Sequence, residues 1–501
     1  MIANRAAFGR YQFDVTQRML FCDGDLVPLG RRMLLLLEVL LRRRGDVVPK
    51  DDLMEAAWPD ETVEDSNLSV QISQLRRLIG SQWIRTVERV GYRFILEGPA
   101  AGASVEPPRL GVPSLAVLAF ADLSETGCLD RISAGFVEDL TTALAQFKSL
   151  VIASRSAGAG HGSRAADVRR IASDLGARYM LAGSVRLTGD RLKINAQLID
   201  GVSGIHLWAK SFERDARDSI VDALAAAVEA EVHAAEITRS RYERPESQEA
   251  YDFYLRARHK IRSSRADDNA VAITLYARAL ELEPDNTLYL AGAAEAFHHR
   301  SAVGWAPLTG NDRAMTRDLT WRGLDQPDPD AASLALFGNA SFSTEEIDFG
   351  SAVTERAAGM TRSSPLALIC DATSHIWAGS IDQAELLFTR ALSLNPNDPN
   401  QRFALGGLAG VYRIRDEFEQ SLQMAKRAFA VSQGYSTIHW QLIVASVYLG
   451  KIEDARRYLA RYRTIAPDAT LNSIRRGQPF ADESRVKTLL DGLRLAGLPE
   501  R

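Results

Sequence analysis

The apolar positions of this chain change period along its length, and each period predicts a different kind of element. Tyr11, Phe13 and Val15 alternate with Gln12 and Asp14, the two-residue repeat of a half-buried strand. Over 33–44 the apolar residues return at helical spacing and stop at Gly45, a residue that commonly ends helices. A second helix is predicted over 51–58, ended by Pro59. A third follows Asp65 or Ser66, either of which can cap its free amides. In that third helix Leu68, Ile72, Leu75 and Ile79 form one stripe that should face a core. Ser66, Val70, Ser73, Gln74 and Arg77 lie opposite, with Asn67 and Arg76 on the flanks. The segment TVERVGYRF then predicts two short strands around Gly91, a hairpin.

The pattern breaks at GPAAGASVEPPRLGV (98–112), whose Gly, Ala and Pro content predicts a flexible boundary. Beyond it, strand-like and helix-like stretches alternate. Strands are predicted at 114–120, 150–154, 179–187, 191–200 and 206–212, and helices at 133–147, 165–175 and 218–235. Thr188-Gly189-Asp190 is a turn between the two longest strands, so the region reads as a mixed α/β domain. From about 248 onward the chain is helical and repetitive. Ala272, Tyr276, Ala279 and Pro284 return as Ala384, Phe388, Ala391 and Pro396. Ser421, Ala425 and Ala428, preceded by Ala409 and Tyr412, form another unit, and Ala455, Leu459 and Pro467 the next. Their spacing is close to the ~34-residue tetratricopeptide period, with about six helix pairs in all and a less regular stretch at 286–362.

The expected fold is a multidomain α+β chain. It comprises an N-terminal winged helix-turn-helix (1–98), a linker (99–112), a central mixed α/β domain (113–240) and a C-terminal all-α tetratricopeptide-repeat solenoid (248–501).

Charge narrows the function. The net charge of the 501 residues is −4, so a nucleic-acid surface has to be local. Between 66 and 95 the charges are Arg76, Arg77, Arg85, Arg89 and Arg93 against Glu88, a basic patch that the total conceals. Asn and Gln suit adenine edges and Arg suits guanine, so the polar face of the third helix fits a major groove. Cys22, Cys128 and Cys370 are far apart, which argues for a reducing compartment and against a disulfide framework or zinc cluster. No apolar stretch opens the chain, and the longest apolar run, 33–41, is about half of the ~20 residues of a membrane span. A cytoplasmic location without membrane contact is expected.

Chemical motifs are few. Gly158-Ala159-Gly160-His161-Gly162 lacks both the GxGxxG spacing and a following Lys-Ser/Thr, and reads as a surface loop. Asp190 and Asp200 read as turn residues and Trp208 as core. His298-His299 is no metal pair, because neighbouring helical positions diverge by about 100°. We expect no catalytic residues, cofactor or metal site, and no enzyme.

The segments LGRRMLLLLEVLLRRRGDVVPKDDLMEAAWP, VEDSNLSVQISQLRRLIG and TVERVGYRF resemble the OmpR/PhoB-type winged-helix family over nearly all of 8–96. The resemblance implies that Ser66, Asn67, Val70, Ser73, Gln74 and Arg76 occupy groove-contacting positions, and that such proteins bind direct repeats in tandem. The family's wing usually carries Arg-Gly after Thr-Val; here the pair is Glu88-Arg89, which displaces the arginine by one residue. Positions often held by arginine are Ser66, Ser73 and Gln74, so the family's base preference does not carry over. Further on, PSLAVLAFADLS and DLGARYMLAGSVRLTGDRLKINAQLIDGVSGIHLWAKSFERD resemble the TolB-like amino-terminal module over about 113–235. Similar modules follow winged-helix or cyclase domains and precede tetratricopeptide repeats.

The expected function is a one-component transcription regulator without a receiver domain or spanning helix. Its helix at 66–79 and a basic wing bearing Arg89 and Arg93 grip double-stranded DNA, and its C-terminal half senses a signal, binds a protein or peptide, or forms a homo-oligomer. The alternative is a repeat scaffold that uses the winged helix as a tether.

Overall fold

The computed structural model describes residues 5–8, 11–14, 19–22, 25–27, 29–43, 45–58, 65–79, 83–87, 90–94, 112–123, 130–153, 165–188, 191–215, 220–344, 347–479 and 483–501. They fall into two compact units, Met1–Val105 and Glu106–Arg501. Among the described residues, no helix is long and apolar enough to cross a membrane. Val15, the loop 158–162, Asp190 and most of the 98–112 linker lie outside the described residues.

The first unit opens with β1 (Arg5–Phe8), β2 (Tyr11–Asp14), β3 (Met19–Cys22) and β4 (Asp25–Val27), an antiparallel sheet in chain order. Alternation puts Phe13 and its partner Leu20 on the buried face. Then come α1 (Arg31–Arg42), β5 (Val47–Pro49), α2 (Lys50–Ala57), α3 (Asp65–Ile79), β6 (Ile84–Val87) and β7 (Gly91–Phe94). The last three strands form an antiparallel sheet ordered β5-β7-β6. Gly45 follows α1 with φ of 93°, a left-handed value that glycine adopts without steric cost, and its amide donates to Phe94 O at 2.9 Å. One core joins Leu36, Leu37 and Leu40 of α1, Leu53 of α2 and the α3 stripe to Trp83 and Phe94.

The second unit begins with β8 (Ser114–Val117), β9 (Ala121–Asp122), α4 (Asp130–Ala145), β10 (Val151–Ala153), α5 (Ala165–Leu175), β11 (Tyr179–Thr188), β12 (Arg191–Asp200), β13 (His206–Asp215) and α6 (Ile220–Tyr242). The sheet runs β10-β8-β11-β12-β13, with β9 also paired to β11. It is parallel through β11 and antiparallel beyond, a mixed sheet. Both faces are covered. Tyr179, Leu181 and Val185 turn toward α4 and α6, whereas Met180 and Ala182 turn toward α5. Asp200 ends β12 as a turn residue: its Oδ1 accepts from the amides of Val202 and Ser203, and its Oδ2 pairs with Arg178 at 2.5 Å. Trp208 is half-buried against the same core, near Phe212.

The rest is helical. Consecutive pairs are α7 (Ala250–Ile261) with α8 (Ala266–Leu282), α9 (Thr287–Ala302) with α10 (Asp312–Leu324), and α11 (Ala331–Ser341) with α12 (Ile347–Met360). They continue as α13 (Pro365–Ala378) with α14 (Ile381–Leu394), α15 (Gln401–Ile414) with α16 (Phe418–Val431), and α17 (Ser436–Tyr448) with α18 (Ile452–Ile465). The short α19 (Leu471–Arg476) and α20 (Glu483–Ala496) close the array, with α20 packed on α17. The repeat residues Ala272, Tyr276, Ala279, Ala384, Phe388, Ala391, Ser421, Ala425, Ala428 and Ala455 are all buried. Small side chains there let paired helices approach closely while the rings fill the remaining gaps.

Candidate nucleic-acid interface

The candidate surface is built around α3. Burial of Leu68, Ile72, Leu75 and Ile79 anchors the helix against α1 and α2, each side chain contributing roughly 1.5–3 kcal/mol. That anchoring fixes the rotation of the helix, so its other face must point to solvent. Asn67 and Gln74 are exposed there, and Val70 is 52% exposed between them. An amide, a branched apolar side chain and a second amide are the groups that meet adenine edges and a thymine methyl. The side chains of Ser66, Ser73 and Arg77, and the whole of Arg89, lie outside the described residues.

The wing stands beside this helix. β6 and β7 pair from Ile84↔Phe94 to Val87↔Gly91, and Val90 N donates to Val87 O at 3.1 Å across the turn. Gly91 also pairs with Pro49 of β5. A Cβ at this position would sit 1.9 Å from Val48 O, so only glycine permits that approach. On β7, Tyr92 and Phe94 are buried and Arg93 is exposed on the opposite face, as strand alternation requires.

Arg76 has a different environment from its neighbours on α3. Its Nε donates to Ile84 O at 3.0 Å and its Nη2 to Thr86 Oγ1 at 2.8 Å. The guanidinium carbon also lies 5.7 Å from the centroid of the Tyr92 ring. The side chain expected on a groove-facing flank therefore ties the helix to both strands of the wing. Helical spacing alone could not show this, because its partners lie beyond the end of the helix. Basic residues of α1 are likewise occupied inside the unit: Arg42 pairs with Glu38, Arg43 with Asp52, and Arg32 lies over the Trp58 ring.

Among the described residues, no group of three or more His, Cys, Asp or Glu could hold a metal ion. The described groups converge on a polar, partly basic surface made of one helix face and one hairpin.

Residues 24–94 match the family described as "Transcriptional regulatory protein, C terminal". A relative from Rhizobium meliloti (strain 1021), named "Putative adenylate cyclase 3", is 32% identical over 189 residues, which are 36% of this chain and 32% of that protein. Transcriptional regulatory protein QseB of Escherichia coli O157:H7 is 33% identical over 91 residues, 18% of this chain and 42% of its own. The chain thus spans less than half the length of these curated relatives. Among solved structures, a tetratricopeptide repeat protein from Parabacteroides merdae ATCC 43184 covers 55% of this chain and 94% of its own, at 13% identity and a TM-score of 0.33.

Proposed function

We propose that this chain, whose residues 24–94 are an OmpR/PhoB-type DNA-binding domain, is a transcription regulator that places α3 in the major groove and the wing on the adjoining backbone. The observation that carries the reading is the division of α3. Its apolar stripe is locked into the core, while Asn67, Val70 and Gln74 are presented outward beside a hairpin bearing Arg93. Asn67, Val70 and Gln74 read bases, Ser66, Ser73 and Arg77 complete the face, and Arg89 and Arg93 of the wing meet phosphates. Arg76 holds wing and helix in register. Residues 113–240 and 248–501 supply the sensing or protein-binding half, and no catalytic step is assigned.

The test is fluorescence anisotropy of the full chain with DNA from upstream of its own coding sequence, in a salt series with scrambled competitor. Preference for that DNA, or for a fragment recovered by genomic selection, supports the reading. It should weaken with salt and with Asn67→Ala or Gln74→Ala. Failure to prefer any DNA leaves the second reading, a protein-binding tether for the repeat scaffold.

A further inference from the structure

The inner face of the solenoid encloses a cavity of about 220 Å³, walled mainly by α7, α9, α11, α13, α15 and α17. Along α15, Arg402, Gly406, Gly410 and Arg413 fall on one stripe and all line it. The two glycines make the room. A Cβ on Gly410 would find its nearest neighbour, Gln441 Nε2, at 3.7 Å, and one on Gly406 would meet nothing closer than 3.7 Å. Trp377, Tyr435 and Trp440 supply flat apolar walls.

The charges of this cavity do not balance. Arg402 is 6% exposed and Arg413 is 2% exposed. Among the described residues, neither forms an ion pair with a carboxylate, although Asp398 acts on Arg402 and Asp416 on Arg413 from farther away. Arg413 is hydrogen-bonded, through Nε to Gln441 Oε1 and through Nη1 to Arg485 O, both at 3.1 Å. Arg402 donates to Pro399 O through Nη1 at 2.5 Å and lies over the Phe403 ring at 4.3 Å, while its buried Nε has no hydrogen-bond partner. Burial pushes both guanidiniums down to about 10. The acidic group on the wall, Glu295, is pushed up to about 7 by burial and takes a hydrogen bond from Asn339. His298 and His299 are pushed down by burial to about 4 and about 3, so they are neutral near pH 7. Arg258 and Arg262 also line the cavity, but they face Glu229, Asp330 and Asp398 across an adjoining one of about 80 Å³. Buried cations are normally paired, and leaving one unpaired is costly. Arg402 stands apart as the buried cation with no ion pair and with a guanidinium nitrogen that lacks a hydrogen-bond partner.

We propose that this cavity binds a small organic anion, a carboxylate or phosphate monoester with an aromatic body, whose charged group pairs with Arg402 and whose ring lies over Gly406 and Gly410. A guanidinium presents a planar fork suited to either anion, and aromatic walls suit a flat ring. The proposal rests on the sensing half of the function above and gives that half a ligand class.

Trp305, Trp377 and Trp440 line the cavity, so occupancy should change the intrinsic fluorescence of the full chain. The probes are phenylacetate, 3-phenylpropionate and phenyl phosphate, each against a neutral partner: phenylacetamide, 3-phenylpropanamide and phenol. The expected result is saturable binding of at least one anion, at least tenfold tighter than its neutral partner. Arg402→Met should weaken it at least tenfold, and Gly410→Leu, which fills the space beside the ring, should abolish it. Melting curves confirm that each variant is folded, and the glycine variant keeps the test decisive if the arginine variant is not. Absence of saturation by all three anions, equal binding of neutral partners, or unchanged binding by folded Gly410→Leu overturns the proposal. DNA affinity is then measured with and without the bound probe. Binding without an effect on DNA keeps the site and removes its regulatory role, whereas loss of DNA binding altogether strikes the regulator reading alone.

Discussion

Arg76→Met separates two roles that an arginine on α3 can play, holding the wing or contacting DNA. The substitution keeps the aliphatic stem but removes both hydrogen bonds to the wing and the cation over Tyr92. The bond to Ile84 O is partly buried and contributes about 1 kcal/mol, and the more exposed bond to Thr86 contributes about half as much. The ring contact adds about 0.5 kcal/mol at so open a site. The total, about 2 kcal/mol, corresponds to a fall in Tm of roughly 8–16 °C for a domain of this size. The first unit has its own core, so residues 1–105 can be melted alone by circular dichroism. A salt series on the full chain supplies the second readout. A positioning residue that touches no phosphate leaves the slope of log K against log salt unchanged while lowering affinity; a phosphate contact takes about 0.9 from its magnitude. A Tm within about 2 °C of the parent together with a slope smaller by about 0.9 would refute the positioning role, since that pattern belongs to an arginine that leaves the wing for DNA.

Other substitutions probe the remaining parts. Gly91→Ala forces a methyl group onto Val48 O and should cost about 1–3 kcal/mol, read as a lower Tm and faster amide exchange at Gly91 and Val48. Asn67→Ala and Gln74→Ala should leave Tm within about 1 °C and lower the preference for cognate over scrambled DNA by about 1–3 kcal/mol; an equal loss on both DNAs would remove them from base reading. Glu295 has a folded-state pKa of about 7, above its ordinary 4.5, so its contribution to stability is full below about pH 4.5 and lost as pH rises through about 7. Glu295→Gln should therefore stabilise the chain by up to about 3 kcal/mol at pH 8 and leave denaturant midpoints unchanged at pH 4.5; a uniform shift across that range would contradict the burial origin.

Elements whose facing is set by one dominant periodicity were legible in the chain. The α3 stripe is an example, since four apolar residues at helical spacing have one way to enter a core. The mixed sheet was legible for a similar reason: Tyr179 and Met180 sit on opposite faces, and both faces are covered. The stretch at 286–362 read poorly because polar fasteners replace the repeat residues there. Asp312 accepts from the amides of Leu308 and Thr309 and from the Thr309 hydroxyl, and lies 3.7 Å from Arg300, an arrangement without a periodic trace. Helical spacing puts Arg76 on a groove-facing flank but carries no information about its partners on β6, which lie across a turn. The cavity was illegible for the same reason. Its walls come from side chains spread over six alternate helices, and Gly406 and Gly410 on their own look like weak helix positions.

The boundary expected between 240 and 248 marks a change of pattern, but the packing runs through it. Ala223, Leu224, Ala225, Ala226, Ala227 and Val228 are consecutive and all buried, so every side of α6 is covered at this level. The sheet and α4 cover one side, and α7 and α14 pack on the helix from the solenoid. Polar links cross the same seam. The Ser363 hydroxyl donates to Asp222 Oδ1 at 2.7 Å, and Arg244 pairs with both Glu236 and Asp252 at 3.0 Å. A fragment of residues 106–245 would leave the solenoid side of α6 in water and strand Asp222 without its serine. Each newly exposed alanine or valine forfeits roughly 0.8 kcal/mol per methyl-sized group, and several are lost at once, which is a large share of the few kcal/mol that hold a domain folded. We therefore expect residues 106–501 to melt as one transition, and residues 106–245 to bind a hydrophobic dye and show no cooperative melt. A fragment of residues 106–245 that melted cooperatively at the temperature of the longer one would mean that α6 needs no cover from the solenoid. In that case ligand occupancy on the inner face would have no packed route to the sheet.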